Sequence, residues 1–398
     1  MNKRPNTFSL SLLLAALCGG PILRAEEPAN GLAPEVTDLN AADISYSLEA
    51  KLPDLKSPFI NAAPGDRNDG IPVGELGTDG GDKEAILKLA EEIAAGEQGE
   101  TDSLLIFKDG KLLFESYYRR GRVNYPHYQM SITKSYTAMA LGRAIQLGYL
   151  TMADLDKPAV NFLSEVDQSN LVEGATDITV AQAMNMGSGI RIDQKKAGEL
   201  MKTPGILQGQ GQIQTYLENS APIPAAPREF KYQGSDPSIT MQVLEAVVPG
   251  SASDFINEEL LSKMGIIHYA WQDDVSGLPK SAAGSSFRSR DMLKWGMLVM
   301  NKGQWKGEQL IPAAFVEKAT SRIHTNQQGA SYGYFWWRHD APVGDKTFDC
   351  KSGRGAGGQF ILMFPELDLI GVVTSHNKGM GDMLKIFPER VLPGFLGD

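Results

Sequence analysis

The chain has 398 residues, with 42% hydrophobic and 22% charged residues and a formal net charge of −10. That is ordinary globular composition, and the length can bury one large core or two coupled ones. The acidic balance repels nucleic-acid phosphates and argues against a DNA or anionic-membrane partner.

The chain opens with a targeting pattern. Lys3 and Arg4 give a positive start, residues 8–17 form a short apolar run, and Leu23-Arg24-Ala25 ends in a small residue before Glu26. This is a secretory signal over residues 1–25, with cleavage expected near Ala25 and a periplasmic or secreted product. Leu17 before Cys18 is too large for a lipidation site. Cleavage would remove Lys3, Arg4 and Arg24, shift the net charge to −13 and leave Cys350 as the sole cysteine, so no internal disulfide forms. No later run of 18 apolar residues is present, so no stable membrane insertion is expected after the signal is removed.

Residues 26–80 are rich in Pro, Gly, Asp and Asn and read as an extended arm. A helix capped by Asp82 is expected to run to about Ala95, with Ile86, Leu87, Leu89, Ala90 and Ile93 as its apolar stripe. Residues 103–107 and 111–117 are β-rich and joined at Asp109-Gly110, a dipeptide that favours a tight hairpin. From Ser131 the spacing turns helical until Gly148 stops it. Residues 149–285 hold further helical stretches, at 180–186 and 238–248, between Pro- and Gly-rich loops. Residues 291–300 form another amphipathic helix. Strands are expected at 332–338, 359–364 and 369–375, with a turn at 365–368. The two strand-rich ends, 81–148 and 286–398, then share one antiparallel sheet flanked by helices, with an all-helical lobe inserted, an α/β (α+β) architecture.

Ser131-Ile132-Thr133-Lys134 carries the chemistry. Positions i and i+3 share a helix face, so the lysine sits beside the serine hydroxyl. Serine is a poor nucleophile until a base takes its proton, and lysine serves only if burial lowers its pKa. A serine at a helix start also aims free N–H groups at charge developing on a substrate oxygen. The pattern alone is weak, since Ser375-His376-Asn377-Lys378 repeats it without opening a helix. Downstream lie Tyr232, in a loop before a helix, and a glycine-rich strand entry from Lys351 to Gln359. A tyrosine there can pass a proton, and glycines let a substrate approach the strand edge. The five histidines show no Gly-x-Ser-x-Gly elbow and no helical pair with an acidic partner, so a histidine triad and a metal site are not expected. His127, before the helix, is expected at the surface. No cofactor is expected.

The order Ser131-x-x-Lys134, Tyr232, Lys351-Ser352-Gly353 resembles that of the serine β-lactamase and penicillin-binding-protein superfamily. The surrounding text is most similar to its class C-related group of esterases, D-aminopeptidases and 6-aminohexanoate-dimer hydrolases. Matching stretches include Met130-Ser-Ile-Thr-Lys-Ser-Tyr-Thr-Ala, Ala144-Ile-Gln-Leu-Gly-Tyr-Leu, Tyr332-Gly-Tyr-Phe-Trp-Trp and Arg354-Gly-Ala-Gly-Gly-Gln. The resemblance spans roughly residues 85–390. It implies a β-lactamase/transpeptidase-like fold, an acyl-serine intermediate, Ser131 as nucleophile, and Lys134 with Tyr232 as one proton-handling unit.

Two departures matter. Where β-lactamases of this class carry Tyr-x-Asn, the third position here is Gly234, which removes a donor to a β-lactam carbonyl. The third motif has two registers, one on Lys351, Ser352 and Gly353, the other on residues 354–359, with Arg354 or Ala356 as oxyanion donor. Trp336, in an aromatic stretch with Trp337, Tyr332 and Tyr334, is expected to line the cleft. The sequence therefore predicts a hydrolase of small amides, esters or short peptides. A D,D-carboxypeptidase or β-lactamase, or a silent binder of cell-wall peptides, is the alternative.

Overall fold

The computed structural model describes residues 25–26, 35–36, 46–326 and 328–396. The expected signal segment, apart from Ala25, lies outside the described residues.

The core is a nine-stranded antiparallel sheet. In chain order its strands are β1 Phe59–Asn61, β2 Thr101–Lys108, β3 Lys111–Tyr117, β4 His324–Thr325, β5 Ser331–Tyr332, β6 Trp337–Val343, β7 Lys346–Gly355, β8 Gln359–Phe364 and β9 Leu369–Ser375. In space they run β4-β5-β6-β7-β8-β9-β2-β3-β1. The two ends of the chain meet where β9 pairs with β2, Val373 opposite Leu104. Asp109 and Gly110, both at positive φ, make the tight β2–β3 turn that their sequence predicts.

Both faces of the sheet are covered, which explains the unbroken apolar text of β8. Ile361 and Met363 point into one core with Leu105, Ile370 and Val372. Phe360, Leu362 and Phe364 point into the other with Leu104, Ile106 and Phe387. Each fully buried large apolar side chain contributes about 1.5–3 kcal/mol.

Of the helices in the described residues, those that matter for the site are α1 Lys83–Ala94, α2 Ile132–Gln146, α3 Val180–Met184, α4 Ser235–Val247 and α5 Ser289–Met300. Asp82 caps α1 through its side chain, accepting from the Ala85 N–H at 3.0 Å. Its residues Ile86, Leu89, Ala90 and Ile93 are buried, as their spacing predicts. Helix α2 is different, since every residue from Ile132 to Ile145 is buried. It is the axle between sheet and lobe, packed on α4 on one side and near β7 on another. A helix enclosed all round need not show a clean stripe.

One expected strand is two. The run at 332–338 breaks between β5 and β6, where Phe335 adopts φ +61° and Gly333 lies against the Ala319 carbonyl. Helix α4 also begins three residues earlier than its apolar spacing suggests. Among the described residues, no helix is long and apolar enough to cross a membrane.

Candidate active site

Ser131 sits at the N-terminus of α2 with its side chain making no capping hydrogen bond. A serine in this place ordinarily satisfies the first helical N–H groups with its Oγ. Here the Oγ instead accepts from Lys134 Nζ at 3.1 Å. The preceding residue, Met130, takes φ +49°, a left-handed conformation that costs a non-glycine residue about 1–2 kcal/mol. The helix start is fixed by Thr133, whose Oγ1 donates to the Met130 carbonyl at 2.8 Å and lies 2.8 Å from Ser285 Oγ.

Lys134 is 4% exposed, and its ammonium also donates to the Ala282 carbonyl at 2.7 Å. Among the described residues no carboxylate pairs with it. Burial therefore pushes its pKa down to about 8. The Nζ lies 4.7 Å from the centre of the Tyr232 ring.

Tyr232 enters from the loop before α4. The Lys231 N–H donates to the Met186 carbonyl at 2.9 Å, tying this loop to the end of α3. The ring stacks on Trp337 at 5.9 Å and meets the edge of Tyr332 at the same distance. Tyr232 keeps 40% of its surface exposed at the mouth, yet its hydroxyl faces Ser131. Burial raises the phenol pKa, and the hydrogen bond with Ser131 opposes that rise. The structure thus brings Ser131, Lys134 and Tyr232 together.

Strand β7 completes one wall. A Cβ on Gly355 would lie 2.3 Å from the Gln129 carbonyl and 3.1 Å from Met130 Cβ. A Cβ on Gly353 would meet Ile132 Cγ2 at 3.0 Å. The strand end therefore runs past the residues that flank Ser131, with Arg354 and Gly355 level with it. Ala356, itself exposed, follows in the β7–β8 turn. Among the described residues, neither the Ser131 nor the Ala356 N–H finds an acceptor within the protein. Two free amides at this place can receive an oxyanion. Lys351 lies farther up the strand, paired with Arg338 and Met363. Burial, and then the charge of Arg338, lower its pKa. Ser352 is buried and accepts from Arg354 Nε at 2.9 Å.

Gly355 is also the place to test the wall. Gly355→Ala must push β7 away from Met130, and overpacking of this kind costs about 1–3 kcal/mol. Acylation of Ser131 is expected to slow about 10- to 100-fold through the displaced amides. Gly234→Ala is the control, because a Cβ there meets nothing within 4 Å and its φ is −88°. Equal rates in the two variants, measured by probe labelling, would remove β7 from the site.

Two expectations fail on geometry. Trp336 is fully buried, because the bend at Phe335 turns it into the core beside Gly353. Its neighbour Trp337 is the tryptophan that reaches Tyr232. His127, expected at the surface, is 0% exposed and hydrogen-bonds Glu49 through Nδ1. Two further residues had no chemical role in the sequence reading: Ala282, whose carbonyl holds Lys134, and Asp236, buried behind the Tyr232 loop.

A family model described as Beta-lactamase matches residues 88–391. The chain belongs to the β-lactamase family. That match places it in the serine β-lactamase and penicillin-binding-protein superfamily and agrees with the antiparallel sheet flanked by helices. Solved β-lactamase-family relatives share the fold at low identity. A candidate 6-aminohexanoate-dimer hydrolase from Bacillus anthracis is 18% identical, with 84% of this chain and 89% of that one covered and a TM-score of 0.60. A penicillin-binding protein homologue from Caulobacter crescentus is 13% identical over 79% and 97%, with a TM-score of 0.61. A D-stereospecific amidohydrolase from a Streptomyces species is 16% identical over 77% and 98%, with a TM-score of 0.57. No curated protein matches the chain in sequence.

Proposed function

We propose that this β-lactamase-family hydrolase is an exported enzyme that opens linear amide or ester bonds through an acyl-serine intermediate. The observation that carries the reading is the buried amine of Lys134 held 3.1 Å from an uncapped Ser131 hydroxyl, with the Tyr232 ring 4.7 Å from that amine. Ser131 Oγ attacks the substrate carbonyl carbon as the neutral Lys134 amine takes up its proton, with the protonated Tyr232 phenol beside it as the relay toward the leaving group. The Ser131 and Ala356 amides hold the oxyanion. The proton passes to the leaving amine or alcohol as its bond to the acyl carbon breaks, and water then hydrolyses the acyl-serine. The N-terminal pattern of Lys3, Arg4, an apolar run and Ala25 supports export.

Gly234 favours linear substrates over β-lactams. It leaves open space where an amide side chain would reach a β-lactam carbonyl. Arg354 favours an acidic group on the substrate. Its guanidinium lies 5.2 Å from the Trp337 ring and bonds Ser352 and His339 Nδ1, and among the described residues no carboxylate pairs with it. Burial and a neighbouring guanidinium lower the His339 pKa to about 4, so that partner is neutral at pH 7. Names of structural neighbours that include a D-stereospecific amidohydrolase and a candidate 6-aminohexanoate-dimer hydrolase accord with this class.

The test is a panel on one purified sample: p-nitrophenyl esters, D-amino-acid anilides with and without a free carboxylate, and nitrocefin. Turnover of an ester or anilide, with a matching acyl adduct by intact mass, is expected. Nitrocefin turned over faster than every linear substrate would reverse the reading.

A further inference from the structure

Asp236 is a carboxylate with no exposed surface, one turn from Tyr232 in the chain. Leaving a charge out of water is costly unless hydrogen bonds replace the solvent. Four donors do so. Oδ1 accepts from Gln233 Nε2 at 2.6 Å, Ser188 Oγ at 2.7 Å and Ser235 Oγ at 3.0 Å, and Oδ2 accepts from the Ser188 N–H at 3.3 Å. Burial still pushes the carboxyl up to about 6, against the pull of these donors. The protein keeps a costly charge here, where an apolar residue would pack without one.

The donors reveal what the charge organises. Gln233 follows Tyr232 directly, and Ser188 belongs to the loop after α3, where the Met186 carbonyl receives the Lys231 N–H. Gln233 Nε2 also reaches Ser188 Oγ at 3.2 Å. Tyr232 is thus clamped from both sides onto one loop, by Lys231 before it and by Gln233 after it. On the far side its ring rests on Trp337 and Tyr332. Tyr332 is fully buried and lies within electrostatic reach of both Tyr232 and Asp236. Remove the carboxylate and three side-chain donors lose their common acceptor. The phenol then keeps the Lys231 tie and its ring stacking, but the Gln233 side of the clamp loses its charged anchor.

We infer that Asp236 is a positioning residue that fixes the Tyr232 hydroxyl on Ser131 by gathering Gln233, Ser235 and Ser188 around one buried carboxylate. It touches neither substrate nor Ser131, so its whole effect passes through Tyr232. The inference rests on the proposed proton-handling role of Tyr232.

The experiment is a double-mutant cycle on the full chain, read by the rate of labelling with a fluorophosphonate probe. Asp236→Asn keeps the shape but turns an N–H₂ toward donors. Its maximal labelling rate, kinact, is expected to fall about 10- to 100-fold, the scale of a misplaced catalytic group. The half-saturating probe concentration should stay within about twofold, because no binding contact is lost. In the Tyr232→Phe background the same change should matter less than about twofold. A purely structural role would slow both backgrounds alike, and that result overturns the inference, as does full-rate labelling by Asp236→Asn. Gln233→Ala, at a partly exposed loop position, carries the same test if Asp236→Asn does not fold. Tyr232→Phe labelling at the wild-type rate would remove the Tyr232 role and this inference with it, while leaving Ser131 as nucleophile. Labelling that survives in Ser131→Ala would instead bring down the proposed function itself.

Discussion

Ser131→Ala is expected to abolish fluorophosphonate labelling and to lower turnover about 10⁴- to 10⁶-fold, with almost no change in stability. The two halves of this expectation come from one observation. An N-cap serine replaced by alanine normally destabilises a protein by about 0.5–2 kcal/mol, because an orphan helical N–H loses its acceptor. The Ser131 side chain makes no such bond, so that cost does not arise. What the substitution removes is the oxygen that Lys134 holds beside Tyr232. A thermal midpoint within a few degrees of wild type, together with lost labelling, fits a serine held for chemistry. A large drop in the midpoint would show that Ser131 is a helix cap after all.

The parts of this site that could be read in the sequence are those fixed by local geometry. Ser131 and Lys134 share one helix, so three residues of spacing set their distance almost unaided. Asp109-Gly110 forced its hairpin in the same way. Tyr232 could be placed only by motif order, since nothing within its own loop says that it meets Ser131. The third motif shows the limit more sharply. Lys351 to Gln359 offers two registers with similar text, and the choice depends on which glycine touches the Gln129 carbonyl, a contact across 226 positions. That glycine is Gly355, which sets the Arg354–Gly355 end of β7, rather than Lys351, against the residues just before Ser131.

The unexpected placements have physical causes. Alternation along a straight strand points Trp336 at the cleft, and one left-handed residue, Phe335, changes which neighbour faces Tyr232. His127 was assigned to solvent because it precedes a helix. Glu49 reaches it from a segment whose sequence has almost no periodicity. Asp236 hid as a helix-start residue, and its burial follows from the approach of Ser188 from the other side. For His127 and Asp236 a partner distant in the chain decides the environment, and no window of local sequence contains it.

Lys134 should give the second large effect and the clearest pH signature. Its ordinary pKa is 10.5, and burial lowers it to about 8. The competent form is the neutral amine, so the rate of Ser131 acylation should rise about tenfold per pH unit below 8 and level off above it. The raised pKa of Tyr232 keeps the phenol protonated beyond that plateau. Lys134→Met fills similar space without a base and is expected to lose about 10²- to 10⁴-fold, together with the rise towards pH 8. Lys134→Arg should fare no better, because a guanidinium does not release its proton in this range. Stability gives an independent check on the same amine. Between about pH 8 and 10.5 the unfolded chain holds a proton on Lys134 that the folded chain has released. The contribution of Lys134 to folding therefore grows as pH rises through that window. Lys134→Met should show a flatter thermal midpoint over the same range. If the wild-type rate instead followed a group titrating near pH 6, or if Lys134→Met kept the limb near 8, the proton acceptor would have to be sought elsewhere in the cleft.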